Sequence, residues 1–349
     1  MDLTKYSDKG ETGLVNLGNT CFLNSCIQVL NHTYELHEFL NSTGYKRHMK
    51  PALIDCTIIE EWNELRNVMW SQNGLVSPNK FVYNIKRVAK QKGREMFTGW
   101  AQNDLHEFLL FLIECMHNSI SRKMKMNISG KSENHVDDLA LNCYGMLKDV
   151  YSKEYSEIMD MFYGIYVSQI LSTKKKVYST KPESFFIVEL PIPTNAGCTL
   201  YDCFDHFVVS EKLSGENAWF NETTNTYEDV IKTMSFWNFP KILVITLKRF
   251  SHDGLYKKNN IIDFPIDNLD LSTYVKGYNP SQYVYDLFGI CNHIGGVSGG
   301  HYTAFVKNST GNWLEYNDEH VAVIQNPIQS HIITPMAYCL FYRKKNNLL

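Results

Sequence analysis

Cys21 stands directly after a glycine-containing turn, Leu17-Gly18-Asn19-Thr20, and directly before helix-forming sequence. A thiol placed there sits at a helix N-terminus, where backbone N–H groups and the helix dipole favour negative charge. Gly18 permits the sharp turn. Asn16 offers a side-chain amide to a developing oxyanion, or serves as an ordinary turn residue. A candidate base lies far along the chain. His301 follows Gly295, Gly296, Gly299 and Gly300, a stretch that lets a thin substrate backbone approach closely, or is a plain flexible turn. His301 would take the thiol proton and return it to a leaving amine. The run Trp313-Leu314-Glu315-Tyr316-Asn317-Asp318 holds two candidates to orient that base. Neighbouring strand residues point to opposite faces, so one of the two is expected to face His301. An asparagine in this role holds the imidazole tautomer without adding a charge. The separation, 301 − 21 = 280 residues, puts nucleophile and base on different parts of the fold.

Those residues need a scaffold, and the pattern changes along the chain. The first ~125 residues read as helix-rich. Leu105, Phe108, Leu109, Leu112, Ile113 and Met116 make one apolar stripe over residues 104–116, with Gln102, Asn103 and Asp104 at its start as capping candidates. From about residue 160, runs such as 185–190, 242–247, 301–306 and 338–343 read as strands between glycine, proline and asparagine punctuation. Helices first and strands later argue an α+β fold. Lys174-Lys175-Lys176 reads as a solvated hairpin tip, and the polar stretch 127–140 as a mobile loop.

The composition sets limits. A chain of 349 residues has room for two ordinary domains or one large one, and its 44% hydrophobic content supports a sizeable core. A formal net charge of −3 gives no electrostatic case for nucleic-acid binding. Nine cysteines, with no CxxC pair, argue against a disulfide scaffold and for a reducing compartment. Residues 1–9 carry no apolar signal-peptide core, and no apolar run approaches bilayer-spanning length. The expectation is a soluble intracellular protein, cytoplasmic and/or nuclear, with no membrane partner.

With these residues in view, the chain resembles a ubiquitin-specific protease, a papain-like cysteine protease. Residues 13–25 resemble that family's cysteine box. Residues 295–305 with 313–318 resemble its histidine box, and Gln102-Asn103-Asp104-Leu105-His106-Glu107-Phe108 its Gln-x-Asp-x-x-Glu-Phe helix motif. Residues 200–207, 237–240 and 247–251 resemble later segments of the same domain. The resemblance implies a single catalytic domain over residues 1–349, with a core at 11–343. It implies a helical thumb at roughly 11–125, β fingers at roughly 160–240 and a β-rich palm in the remainder. It makes Cys21 the nucleophile, His301 the base, Asn317 the third triad member, Asn16 the oxyanion donor and Asp318 an accessory polar residue. Asp104 and Glu107 would lie near the arginine-rich tail of ubiquitin, and Gly299, Gly300 and Tyr302 would line its channel. The loops 251–262 and 295–300 would flank that channel.

The implied partners are ubiquitin and ubiquitinated proteins, with targeting left to the domain's own surface or a regulatory partner, and no cofactor is needed. The implied reaction is hydrolysis of the isopeptide bond after ubiquitin's last glycine. A catalytically weak ubiquitin-binding scaffold and a protease for a ubiquitin-like modifier are the alternatives. One departure stands out. Many family members hold structural zinc in the fingers through two CxxC pairs. The matching positions here are Ser172, Lys175, Asn221 and Thr224, so no metal is expected.

Overall fold

A computed structural model describes residues 2–194, 197–251 and 253–345. The remaining positions of the expected 1–349 domain, and position 252 of the expected 251–262 loop, lie outside the described residues. The N-terminal part carries β1 (Thr12–Leu14), α1 (Cys21–Asn31), α2 (Tyr34–Asn41), α3 (Cys56–Ser71), β2 (Gly74–Val76), α4 (Asn79–Gln91), α5 (Leu105–Ile120), α6 (His135–Tyr151) and α7 (Glu157–Phe162). There follow β3 (Gly164–Ser172), β4 (Val177–Phe185), β5 (Ile187–Pro191), α8 (Leu200–Val208), β6 (Glu211–Leu213), β7 (Trp219–Asn221), β8 (Thr226–Glu228) and β9 (Val230–Asn238). The last part holds β10 (Ile242–Lys248), β11 (Leu269–Asp270), β12 (Val284–Gly296), β13 (Gly299–Lys307), β14 (Trp313–Asn317), β15 (His320–Val323), α9 (Ile328–Ile332) and β16 (Ala337–Lys344).

The larger sheet runs β15-β14-β13-β12-β16-β10-β5, with β11 added to β12. Both its faces are covered, which is why β10 is apolar on both sides from Ile242 to Ile245. Ile242 and Val244 join the core shared with the N-terminal helices, and Leu243, Ile245 and Leu247 join a second core with Leu200, Cys203 and Phe204 of α8. The α5 stripe from Leu105 to Met116 is fully buried in the first of these cores. The α1 helix lies against the larger sheet so closely that a Cβ on Gly289 would stand 2.3 Å from Val29 Cγ1.

The stretch 160–240 does not stay in one sheet. A four-stranded sheet runs β4-β3-β9-β6, but β5 leaves it to pair in parallel with β10. The apolar run 185–190 is therefore broken at Phe186, between β4 and β5. The expected loop 127–140 is a loop only up to its cap. Asn134 accepts from the N–H groups of Val136 and Asp137, and α6 begins at His135. The signal is present in the sequence, a capping asparagine followed by Asp137 and Asp138 in the first turn.

At the far end of the four-stranded sheet, the positions matched to zinc ligands are otherwise engaged. Ser172 Oγ accepts from Lys176 N at 2.9 Å, and Lys175 takes a left-handed φ of 65° in the β3–β4 turn. Asn221 Nδ2 and Thr224 Oγ1 both donate to Glu228 Oε1, at 2.7 and 2.8 Å. Tyr178 stacks on Trp219 across the two hairpins, with ring centroids 5.9 Å apart. This donor set has no thiol or imidazole, and its amide and hydroxyl already hold Glu228, so it does not fit zinc.

Candidate active site

The turn before α1 is folded by its own side chains. Asn16 Oδ1 accepts from the N–H groups of Gly18 (3.0 Å) and Thr20 (3.2 Å), and Thr20 Oγ1 accepts from Leu17 N at 2.9 Å. Gly18 and Asn19 both adopt left-handed φ values, 94° and 55°. The turn delivers Cys21 as the first residue of α1, and no side chain caps that helix. Its first-turn N–H groups are therefore left to meet negative charge.

Burial pushes the Cys21 thiol above the usual cysteine range. A hydrogen bond from the Tyr302 backbone pulls it down, the Asp318 charge pushes it up, and the N–H groups of Phe22 and Cys21 itself pull it down. The helix N-terminus thus acts in the expected direction but is outweighed by desolvation.

His301 lies on β13, one residue before the Tyr302 backbone that meets the thiol. Its Nε2 is 2.7 Å from Asn317 Oδ1. A carbonyl oxygen only accepts, so Nε2 carries the proton and Nδ1 holds the free lone pair a base requires. Asp318 Oδ2 is 4.0 Å from the same Nε2. The expectation that only one of the two neighbours would face His301 is corrected here. The β14 strand ends at Asn317, and Asp318 sits in the following turn with φ 50°, outside the strand's alternation.

Asp318 also ties both halves of the site together. Its Oδ2 accepts from Asn16 Nδ2 and its Oδ1 from Asn24 Nδ2, each at 2.8 Å. Its backbone oxygen accepts from Leu14 N at 2.8 Å. This seam demands glycine, because a Cβ on Gly13 would stand 2.3 Å from Glu319 O. The Asn16 amide group therefore spends one N–H on Asp318, and its second N–H has no partner among the described residues.

Cys21 opens into a cavity of about 230 Å³, lined by Asn19, Gln102, Asp104, Gly299, Gly300 and Tyr302 among others. Through Asp104 and Phe250 this cavity adjoins a groove of about 920 Å³ that carries Glu107, Glu189 and Asp253. Asp104 caps α5, accepting from His106 N at 2.7 Å, and also accepts from the Tyr338 hydroxyl at 2.8 Å. Glu107 is exposed and makes no ion pair among the described residues. The Tyr302 ring is buried, so this residue meets the thiol through its backbone.

Three contributors make contacts in the site that the sequence does not reveal. Asn24 reads there only as part of an apolar helix. Gln102 reads as a cap, yet its carboxamide bonds both backbone groups of Gly300, donating to its O and accepting from its N at 2.9 Å each. His293 lies beneath Gly300, cross-strand from Tyr302 and edge-on to Phe250. Burial, assisted by the Lys257 charge, lowers its pKa to about 4. No local pattern marks such a residue, since its place depends on strand register alone.

The comparisons agree with this geometry. The family profile "Ubiquitin carboxyl-terminal hydrolase" matches residues 12–342. The chain is 34% identical over 343 residues to ubiquitin carboxyl-terminal hydrolase Usp2 of Drosophila melanogaster, covering 96% of this chain and 35% of that protein. It is 34% identical over 350 residues to ubiquitin carboxyl-terminal hydrolase 2 of Homo sapiens (97% and 56%). It thus spans between about a third and somewhat over half of these relatives' length. Among solved structures, a SAGA DUB module of Ubp8, Sgf11, Sus1 and Sgf73 bound to monoubiquitin matches with a TM-score of 0.73 and 26% identity, covering 99% of this chain and 72% of that one. The module bound to ubiquitin aldehyde matches with a TM-score of 0.72 and 25% identity, covering 99% and 72%. With a profile match over nearly its whole length, a cysteine at a helix start and a histidine held by Asn317, this chain belongs to the ubiquitin carboxyl-terminal hydrolase family.

Proposed function

We propose that the chain is a thiol-dependent deubiquitinase that hydrolyses the isopeptide bond after the C-terminal glycine of ubiquitin. The observation that carries this reading is the His301 Nε2–Asn317 Oδ1 contact, which leaves Nδ1 as a base one residue from the backbone that touches Cys21. The relatives' names and the ubiquitin in the matched structures support ubiquitin as the substrate. The groove leading to Cys21 mixes Asp104, Glu107, Glu189 and Asp253 with Lys248, Arg249 and Lys258, and within it the exposed Glu107, which makes no ion pair among the described residues, suits an arginine-bearing tail.

His301 Nδ1 takes the Cys21 proton as sulfur attacks the terminal glycine carbonyl. The oxyanion meets the uncapped N–H groups of α1 and the second N–H of Asn16. The C–N bond breaks, the lysine amine leaves with the proton from His301, and a thioester remains. Water, deprotonated by His301, then attacks the thioester and releases the ubiquitin carboxylate and the Cys21 thiol. The whole protein's substrates belong to the same proposal, as does a reducing cytoplasmic or nuclear setting, which nine unpaired and buried cysteines support. No helix among the described residues is long and apolar enough to cross a membrane.

A ubiquitin probe with a C-terminal electrophile tests this reading. Wild type is expected to form a covalent adduct and Cys21→Ser none. Binding without labelling would make the chain a scaffold instead, and faster labelling by a ubiquitin-like probe would reassign the modifier.

A further inference from the structure

The β13 strand is flanked by β12 along its length, but β14 pairs only from Ala304 to Lys307. Residues 299–303 therefore present an open strand edge towards the N-terminal helices. Along any strand, alternate residues aim their N–H and C=O groups at the same edge. Gly300 and Tyr302 are such a pair. Tyr302 lines the same cavity as Cys21, and the Gly300 position is filled by the Gln102 carboxamide through two hydrogen bonds of 2.9 Å. A carboxamide offers one donor and one acceptor in a plane, the same pair that an extended peptide backbone presents.

Glycine keeps this place bare. A Cβ on Gly299 would stand 2.5 Å from Gln102 Oε1, and one on Gly300 2.4 Å from His293 Nε2 and 2.2 Å from Ile294 O. Gln102 itself is exposed and makes no other side-chain hydrogen bond among the described residues.

We infer that Gln102 is a specificity-determining residue that stands in for substrate backbone on the open edge of β13. It gives up Gly300 when the extended ubiquitin tail adds to that edge on its way to Cys21. This rests on the deubiquitinase reading above. Recognition by strand addition reads main chain rather than side chains, which suits a tail ending in glycine. Because Gln102 and the tail compete for the same two backbone groups, removing the carboxamide should strengthen binding.

The test measures ubiquitin affinity in the Cys21→Ala chain by titration calorimetry, with and without Gln102→Ala, using full-length ubiquitin and ubiquitin lacking its last two residues. The expected result is about three- to tenfold tighter binding of full-length ubiquitin by the double variant, the scale of one or two exposed hydrogen bonds. No gain is expected for the truncated ubiquitin. In otherwise wild-type enzyme the same substitution should lower KM. Equal or weaker binding of full-length ubiquitin would overturn the inference, as would an equal gain for the truncated form. Loss of all ubiquitin binding in Cys21→Ala, together with failure of wild type to label, would instead remove the deubiquitinase reading itself.

Discussion

Asn16 and Asp318, 302 positions apart in sequence, are joined by a 2.8 Å hydrogen bond between amide and carboxylate. The turn that places Cys21 is thereby fixed to the hairpin that carries Asn317, the partner of His301. Asn24 on α1 makes the second bond to the same carboxylate, so Asp318 is an anchor for both sides of the cleft.

Asp318→Ala should therefore loosen the site and weaken the fold together. Two charge-assisted bonds are lost, and their amides are partly returned to water. A destabilisation of about 2 kcal/mol is expected in urea unfolding, with a fall in kcat. An unchanged unfolding midpoint would show that the turn and the hairpin hold their places independently.

Asn317→Ala should act on turnover rather than on affinity. Without Oδ1 the imidazole loses the partner that fixes its tautomer, but it remains in place as a base. We expect kcat to fall about 10- to 100-fold with KM little changed, against about 10²- to 10⁴-fold for His301→Ala. A KM effect larger than the kcat effect would assign Asn317 to binding.

Acid should unfold the protein through buried histidines. Desolvation lowers His32 to about 4, His37 to about 3 and His293 to about 4. His37 is further held neutral because Arg66 donates to its Nδ1 at 3.0 Å, leaving Nε2 to donate to Asn31 O. The unfolded chain binds these protons near pH 6.5 and the folded one does not. Stability is therefore full above pH 6.5 and falls as the pH drops towards 4, by up to about 1.4 kcal/mol per unit for each group. Urea unfolding at pH 7.5, 6 and 5 checks this, and a flat profile would refute it.

The end of the four-stranded sheet that carries Ser172 and Lys175 should depend on Glu228 of the neighbouring hairpin. Glu228→Ala frees Asn221 and Thr224, so amide exchange should quicken at 172–178 and 219–228 while the global unfolding midpoint stays nearly unchanged. Chelators should change neither melting nor hydrolysis. Loss of stability on adding a chelator would reveal a metal at a different place.

The legible parts of the sequence are those encoded locally. The α5 stripe repeats with the helical period, β10 is apolar from Ile242 to Ile245 because both its faces are buried, and Cys21 and His301 announce themselves by their neighbouring glycines. Features set by distant approach are not legible. The Gln102–Gly300 pair spans 198 positions, and His293 owes its environment to the β12–β13 register. Asp318 misleads for a subtler reason. Strand alternation does not reach one residue beyond the end of β14, where a left-handed turn cancels it.

The strand order has a consequence for synthesis. The final described strand, β16, is inserted between β12 and β10, in the middle of the larger sheet. At about 5–20 residues per second, the 280 residues from Cys21 to His301 take roughly a quarter of a minute to a minute to translate. Throughout that time the emerging chain carries Cys21 without His301. Even once His301 and Asn317 are made, the sheet that holds them lacks its centre until Ala337–Lys344 arrives. Under the function proposed above, a chain that stops before Ala337 holds Cys21 without the completed sheet that places His301, and it should be inactive.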